Sequence, residues 1–404
     1  MPGRTRANGE GSIFPYRNGY AAYVWVTKPD GKRTRKYVYG KTREVVHDKW
    51  IKLHQQAKAG PVATRVPTVG DYLAYWLSDV VKPNLAPLTH ATYDTLVRLY
   101  IAPGLGGKRL DRLQVRDVQS WINALATACQ CCAQGKDARR AMPRCCAAGA
   151  CCSNLPAAST LGDARKVLRS ALSHAQKEEL LSRNVATLVK LPAGRRRKGK
   201  AWSTEEARRF LESARRDRDP LYAAYVLVLV LGLRKGEVLG LTRDDVDLDA
   251  GELVIGRQLQ RVRRELLHRE TKTHASDATL PLPGICVTAL RQRLADADAA
   301  KPTAGSAWQH TGLVFCTAFG TPVDPRNFNR SWDARCLKAG VRKITVHDAR
   351  RTCGSLLADL DVHPRVAMTI LRHARFSITM EIYTQVSSKS TREALKRLGD
   401  SLDG

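Results

Sequence analysis

The longest nearly apolar run in the chain, Leu221 to Leu233, spans 13 residues and leads straight into Arg234. It reads as a helix. A bilayer demands roughly 20 such residues, so the run belongs to a globular interior and membrane spanning is excluded. With 404 residues the chain has room for two or three domains, at about 150 residues each. Lys and Arg number 67 against 38 Asp and Glu, a formal net charge of +29. That excess argues against an ordinary small-molecule enzyme and for a polyanionic partner. The opening MPGRTRANGEGS has no apolar signal core, so a reducing cytoplasm is expected, with the eleven cysteines as thiols or metal ligands.

The charge is densest in the first half. Residues 1–60 carry 13 basic and 4 acidic groups, residues 61–200 carry 22 and 9, and the remaining 204 carry 32 and 25. Charge by itself does not separate DNA, RNA and anionic lipid. Residues 1–60 read as a small β-sheet plus a helix. Short β-rich runs at Ile13-Phe14, Tyr20–Val26 and Arg35–Tyr39 are punctuated by Asn18-Gly19 and Asp30-Gly31, and helical spacing follows from Lys41 to Lys58. Basic and aromatic residues on the strands suit a sheet laid into a DNA groove. The plainer reading makes those aromatics the core of the sheet.

Residues 66–194 read as an all-α module. Val69, Leu73, Trp76 and Leu77 recur at helical spacing, with Thr68 or Gly70 as a start, and Thr89–Tyr100, Val115–Ala126 and Ser159–Glu179 are further amphipathic stretches. A cysteine-rich insertion, 129–152, interrupts it with Cys129, Cys131, Cys132, Cys145, Cys146, Cys151 and Cys152. Thiols at this density in a reducing compartment suggest a structural zinc on four sulfurs, against an unstructured Cys/Ala/Gly loop. The spacing does not say which four. A basic linker, Arg195 to Lys200, leads to residues 201–404, which open on the helix-start signature Trp202-Ser203-Thr204-Glu205-Glu206.

The last module holds five short motifs in order: Gly232-Leu233-Arg234-Lys235-Gly236-Glu237, then Glu270-Thr271-Lys272-Thr273-His274 within a strand-turn-strand region, His347-Asp348-Ala349-Arg350, Leu371-Arg372-His373-Ala374, and Ile382-Tyr383-Thr384. The series Arg, Lys, His-x-x-Arg, His, Tyr resembles the tyrosine recombinase (phage integrase) family, and is similar to integrases of actinobacterial phages and integrative plasmids. The resemblance implies a multidomain fold: an arm-type DNA-binding domain at 1–60, a helical core-type DNA-binding domain at 66–194, and a mainly α catalytic domain with a small antiparallel sheet at 201–404. It implies site-specific cleavage and rejoining of DNA at attachment sites through a 3′-phosphotyrosine, by a synaptic tetramer. An excision-directing factor and a host DNA-bending protein are expected partners, and no cofactor is expected for catalysis.

The residue types suit that chemistry on their own terms. Breaking a phosphodiester without a metal calls for cationic donors on the non-bridging oxygens, and arginine is planar, always charged and bidentate. Arg234 and Arg350 form that clamp, Lys272 is the general acid for the 5′ oxygen, and His347 helps move the nucleophile's proton. His373 donates to the phosphate, Glu237 orients Arg234, and Tyr383 is the nucleophile, activated by a base and the arginine field. His373 and Tyr383 would lie about 15 Å apart on one continuous helix, so a bend near Phe376-Ser377 is required. In the family a glycine usually precedes the second histidine; Arg372 stands there instead, an additional cation expected to touch DNA or to disturb His373. A chromosome-dimer resolvase, a non-catalytic DNA-binding regulator and a zinc nuclease are the competing readings. The sheet module weighs against the first, the full set of reactive residues against the second, and the cysteines' place in another module against the third.

Overall fold

In the computed structural model the described residues are 13–28, 31–60, 66–192, 201–270, 278–373, 375–383, 396 and 400. The backbone divides into two units, Met1–Gly194 and Arg195–Gly404. The first unit contains two separate apolar cores. One lies beneath a three-stranded antiparallel sheet of β1 (Phe14–Tyr16), β2 (Gly19–Thr27) and β3 (Arg33–Gly40). Alternation along β2 sends Ala22, Val24 and Val26 inward against Val46, Trp50 and Leu53 of the Arg43–Ala59 helix. The opposite face carries Trp25, Tyr37 and Tyr39, all exposed. The guanidinium of Arg35 sits 4.8 Å from the Tyr23 and Trp25 rings, and that of Arg33 lies 5.9 Å from Trp25. Trp25, Tyr37 and Tyr39 are therefore outside the core, because small aliphatic residues occupy most positions that face the helix, while half-buried Tyr20 packs against it.

The other core of this unit is helical. Val69–Tyr75, Pro87–Leu96, Val115–Thr127 and Ala158–Lys177 are its longer α-helices, and wider π turns at Trp76–Val81 and Val97–Ile101 extend the first two. Thr68 starts the first helix by a reciprocal cap with Asp71. Leu161, Ala164, Val167, Leu168, Ala171 and Leu172 line the buried stripe of the last.

The second unit is built on the apolar run. Its helix, Tyr222–Val230, is buried from Ala223 through Leu229, as expected of a helix apolar on every side. It stops earlier than the run, because Gly232 turns the chain with φ +60°, a conformation cheap only for glycine. Aromatic rings close this core: Trp332 stacks on Trp202 at 5.5 Å and meets Phe210 at 4.6 Å. Two small β elements flank the helices. Strands β4 (Val246–Asp247), β5 (Glu252–Ile255) and β8 (Ala278–Pro281) form one antiparallel sheet, and β6 (Arg257–Val262) pairs with β7 (Glu265–Glu270). Among the described residues no helix is long and apolar enough to cross a membrane.

Trp332 is wholly buried and its indole N–H donates to the Ile344 carbonyl at 2.9 Å. Trp332→Ala is expected to lower the stability of the second unit by about 3–5 kcal/mol, read as a shift in the denaturant midpoint of the full chain.

Candidate active site

The turn at Gly232 places two arginines. Its carbonyl accepts from Arg350 Nη1 at 2.5 Å, and a β-carbon there would lie 2.5 Å from Leu371 Cδ2. Two residues later Arg234 caps the short Lys235–Gly240 helix. Glu237 does not follow Arg234 on one helical face; it folds back over the helix start. One of its oxygens accepts the Arg234 backbone N–H at 2.8 Å and the other accepts Arg234 Nη1 at 2.5 Å.

Arg350 lies on the Val346–Asp359 helix, which begins with a reciprocal cap between Thr345 and Asp348. The Asp of the His-Asp-Ala-Arg motif is thus a helix-starting residue. It directs both His347 and Arg350 into one cleft of about 330 Å³, lined also by Arg234, Lys235, Asn329 and Thr345. His347 is exposed at the rim, whereas Arg350 is buried to 4% exposure. Burial first, and then the charge of Arg234, pulls the Arg350 guanidinium down to about 9, so it remains a cation at neutral pH. Among the described residues its buried Nη2 has no hydrogen-bond partner. A buried guanidinium donor left unpaired is costly, and an anionic oxygen in the cleft would satisfy it.

Arg372 bears out one arm of the sequence expectation, since its charge acts on His373, and corrects the other. It ends the Pro364–Leu371 helix in the left-handed conformation, φ +50°, which explains why glycine is usual there: the conformation costs a side chain about 1–2 kcal/mol. Its side chain turns inward, not toward an outside partner, and is 1% exposed. Nη2 donates to Glu237 at 2.5 Å, while its own carbonyl accepts from Arg234 Nη2 at 3.3 Å. Burial would raise the Glu237 carboxyl, but Arg372 and Arg234 hold it below its ordinary value.

His373 follows, with Nδ1 3.0 Å from the hydroxyl of buried Thr379. It lines a second cleft with Arg365, Arg372 and Phe376. The chain breaks direction between the Pro364–Leu371 and Phe376–Tyr383 helices, slightly earlier than the expected bend. Tyr383 ends the latter helix, half-buried, lining neither cleft described above; its hydroxyl donates to the Val362 carbonyl at 2.6 Å. Burial raises its pKa. Lys272 lies outside the described residues.

Thus Arg234, His347 and Arg350 share one cleft, Glu237 binds Arg234 and Arg372, and Tyr383 is held to the backbone. Lys235 and Asn329 escaped sequence reasoning. Lys235 Nζ donates to Asn329 Oδ1 at 3.1 Å and burial lowers its pKa; its place beside Arg234 was the available signal. The seven clustered cysteines all fall in the other unit.

Burial, followed by the charges of Arg350, Arg234, Arg372 and His347, lowers His373 from 6.5 to about 4. Below pH 6.5 the unfolded chain binds a proton that the folded one refuses. The residue's contribution to stability is therefore complete above that pH and is lost as the pH falls toward about 4. Histidine NMR titration of the free protein should find His373 neutral at pH 5.5, in the middle of the window from 6.5 to about 4; an ordinary midpoint would contradict the cationic field described here.

Comparison with known proteins identifies the family. Residues 201–390 match the phage integrase family and residues 68–126 match the phage integrase N-terminal SAM-like domain. A tyrosine recombinase XerC-like protein of Caldanaerobacter subterraneus subsp. tengcongensis is 26% identical over 92% of this chain and 93% of its own. An integrase of Streptomyces ambofaciens is 28% identical over 88% of this chain and 86% of its own. The fold is that of the Tn1549 transposon integrase solved with a circular intermediate DNA, with a TM-score of 0.63 at 18% identity over 82% of this chain and 99% of that one. On these grounds the chain belongs to the phage integrase, or tyrosine recombinase, family, and its activity is site-specific DNA recombination through a phosphotyrosine intermediate.

Proposed function

We propose that Arg234 and Arg350 grip the scissile phosphate of a double-stranded attachment site while Tyr383 attacks it. The supporting observation is the buried, unpaired Nη2 of Arg350 in a cleft shared with Arg234 and His347. Tyr383 Oη forms a bond to phosphorus, the bond from phosphorus to the 5′ oxygen breaks, and the DNA 3′ end becomes a phosphotyrosine ester. His347 helps take the phenolic proton, and Lys272 supplies one to the departing 5′ oxygen. His373, neutral and contacting Thr379 through Nδ1, donates from Nε2 to a phosphate oxygen. A 5′ hydroxyl from another strand reverses the step and rejoins DNA without ATP. Before attack the Tyr383 hydroxyl leaves the Val362 carbonyl, giving up one hydrogen bond of about 0.5–1.5 kcal/mol.

The exposed Arg33, Arg35, Trp25, Tyr37 and Tyr39 face of the sheet is the arm-type DNA surface in this reading, and the helical module binds core-type sites. Integration of a phage or other mobile element by a synaptic tetramer in the cytoplasm, with an excision-directing factor and a host DNA-bending protein setting direction, completes the proposal. In the Tn1549 and lambda integrase structures the homologous folds are bound to DNA.

A nicked suicide substrate tests the assignment. Wild type should accumulate a covalent protein–DNA adduct. Tyr383→Phe should bind the same duplex with unchanged salt dependence and form none, and an adduct in that variant would exclude Tyr383 as nucleophile. Arg350→Ala should slow cleavage by about 100-fold or more. EDTA added to the preformed protein–DNA complex should leave the cleavage step unchanged, because the proposed proton and charge transfers run through side chains.

A further inference from the structure

The insertion between the Val115–Thr127 and Ala158–Lys177 helices has little to hold it together by apolar burial. Of residues 129–152 only Gln130, Cys131 and Asp137 are buried, and its regular structure amounts to Gln130–Ala133 and a 3-10 turn at Cys146–Ala148. A segment with so little core needs another source of folding energy. Its seven thiols converge nonetheless.

The sulfurs form two groups of four. Cys129, Cys132, Cys146 and Cys151 make one; Cys131, Cys145, Cys146 and Cys152 make the other, and within each the Sγ atoms lie within 4.8 Å of one another. Seven residues fill eight places because Cys146 belongs to both groups. All seven are free thiols, and the sulfur separations are far from the disulfide length of about 2.05 Å. They match another figure. A tetrahedral ion with Zn–S bonds of about 2.3 Å sets its sulfurs about 3.8 Å apart along each edge. In the first group Cys129–Cys146 and Cys132–Cys151 are both 3.8 Å. In the second Cys131–Cys145 is 3.8 Å and Cys146–Cys152 is 3.7 Å.

Asp137 prepares the turn that carries the shared ligand. Its carboxylate is 1% exposed and accepts the backbone N–H groups of Arg144, Cys145 and Ala147 within 3.1 Å, together with the Arg140 guanidinium at 3.0 Å. The backbone around Cys145 and Cys146 is therefore organised by a group that is not itself among the sulfur ligands. Lys136, Arg139, Arg140 and Arg144 surround the knot in sequence and offset the charge of seven thiolates on two dications.

We propose that residues 129–152 form a binuclear zinc knot in which the Cys146 thiolate bridges two ions, one completed by Cys129, Cys132 and Cys151 and the other by Cys131, Cys145 and Cys152. Each ligand enters as thiolate and releases its proton to solvent. Two tetrahedra sharing a vertex use every cysteine of the insertion and leave none over, which a single four-sulfur site does not.

Elemental analysis of the full chain, purified without chelator, should find two zinc ions per chain. One zinc, none, or iron in its place would overturn the proposal. Cys132→Ser should retain one ion. Cys286→Ser, in the other unit, should retain both, and a loss of zinc in that variant would count against the assignment. The bridge has its own readout: in the Co(II)-substituted protein, two ions joined by a thiolate are magnetically coupled, so the EPR signal per cobalt should fall between one and two equivalents. An undiminished signal per cobalt at two equivalents would mean two unlinked sites and would refute the Cys146 bridge.

Discussion

The second unit depends on a single buried carboxylate. Glu237 takes Arg234 on one oxygen and Arg372 on the other, while Arg350 lies close enough for its charge to be felt. Three guanidinium groups around one carboxylate leave an excess of positive charge in a partly dehydrated space. Without Glu237 their mutual repulsion and lost hydration would be uncompensated; with it, two cations are held, while Arg350 Nη2 and Arg372 Nε keep unused donors among the described residues. The arrangement is stable as folded and still short of an anion. In the proposed reading a phosphodiester makes good that shortage, and at the transition state the added charge on the non-bridging oxygens would strengthen the same contacts.

Much of this was legible from residue order, since Arg234, His347 and Arg350 do share a cleft. Cap chemistry was equally readable: Ser203 with Glu206 starts the Thr204–Arg216 helix as the motif suggests. Arg372 was not. A residue that ends a helix in the left-handed conformation turns its side chain by local backbone geometry, and sequence spacing carries no trace of whether it points to solvent or to a carboxylate 135 positions earlier. The aromatic strand residues were ambiguous for a related reason. Period-two alternation separates the two faces of a sheet, yet both faces here carry apolar residues, and only the position of the helix decides which one is covered. The sulfur grouping was unreadable too, because Cys-Cys dipeptides give no spacing rule and only the fold assigns each neighbour to its set.

The tyrosine and the arginines are held in different ways. The arginines are fixed by charge and by the Gly232 turn, whereas the Tyr383 ring packs against Cys353, Leu371 and Ile382 and its hydroxyl is tied by one neutral hydrogen bond to a backbone carbonyl. A charged network of this kind resists rearrangement; a single O–H to C=O contact exchanges readily for another acceptor. In the proposed reaction this contrast would pair a rigid cradle of arginines with a tyrosine hydroxyl free to change its partner.

The outward face of the N-terminal sheet has a consequence for recognition. A surface arginine ordinarily samples many rotamers and surrenders that freedom when it meets a ligand, a loss that can approach 2 kcal/mol. Resting over the Tyr23 and Trp25 rings, Arg35 has already given up part of this freedom within the free protein. Encounter with a polyanion then orders little that is not ordered beforehand, and such a surface gains residence time from stiffness as much as from its charge.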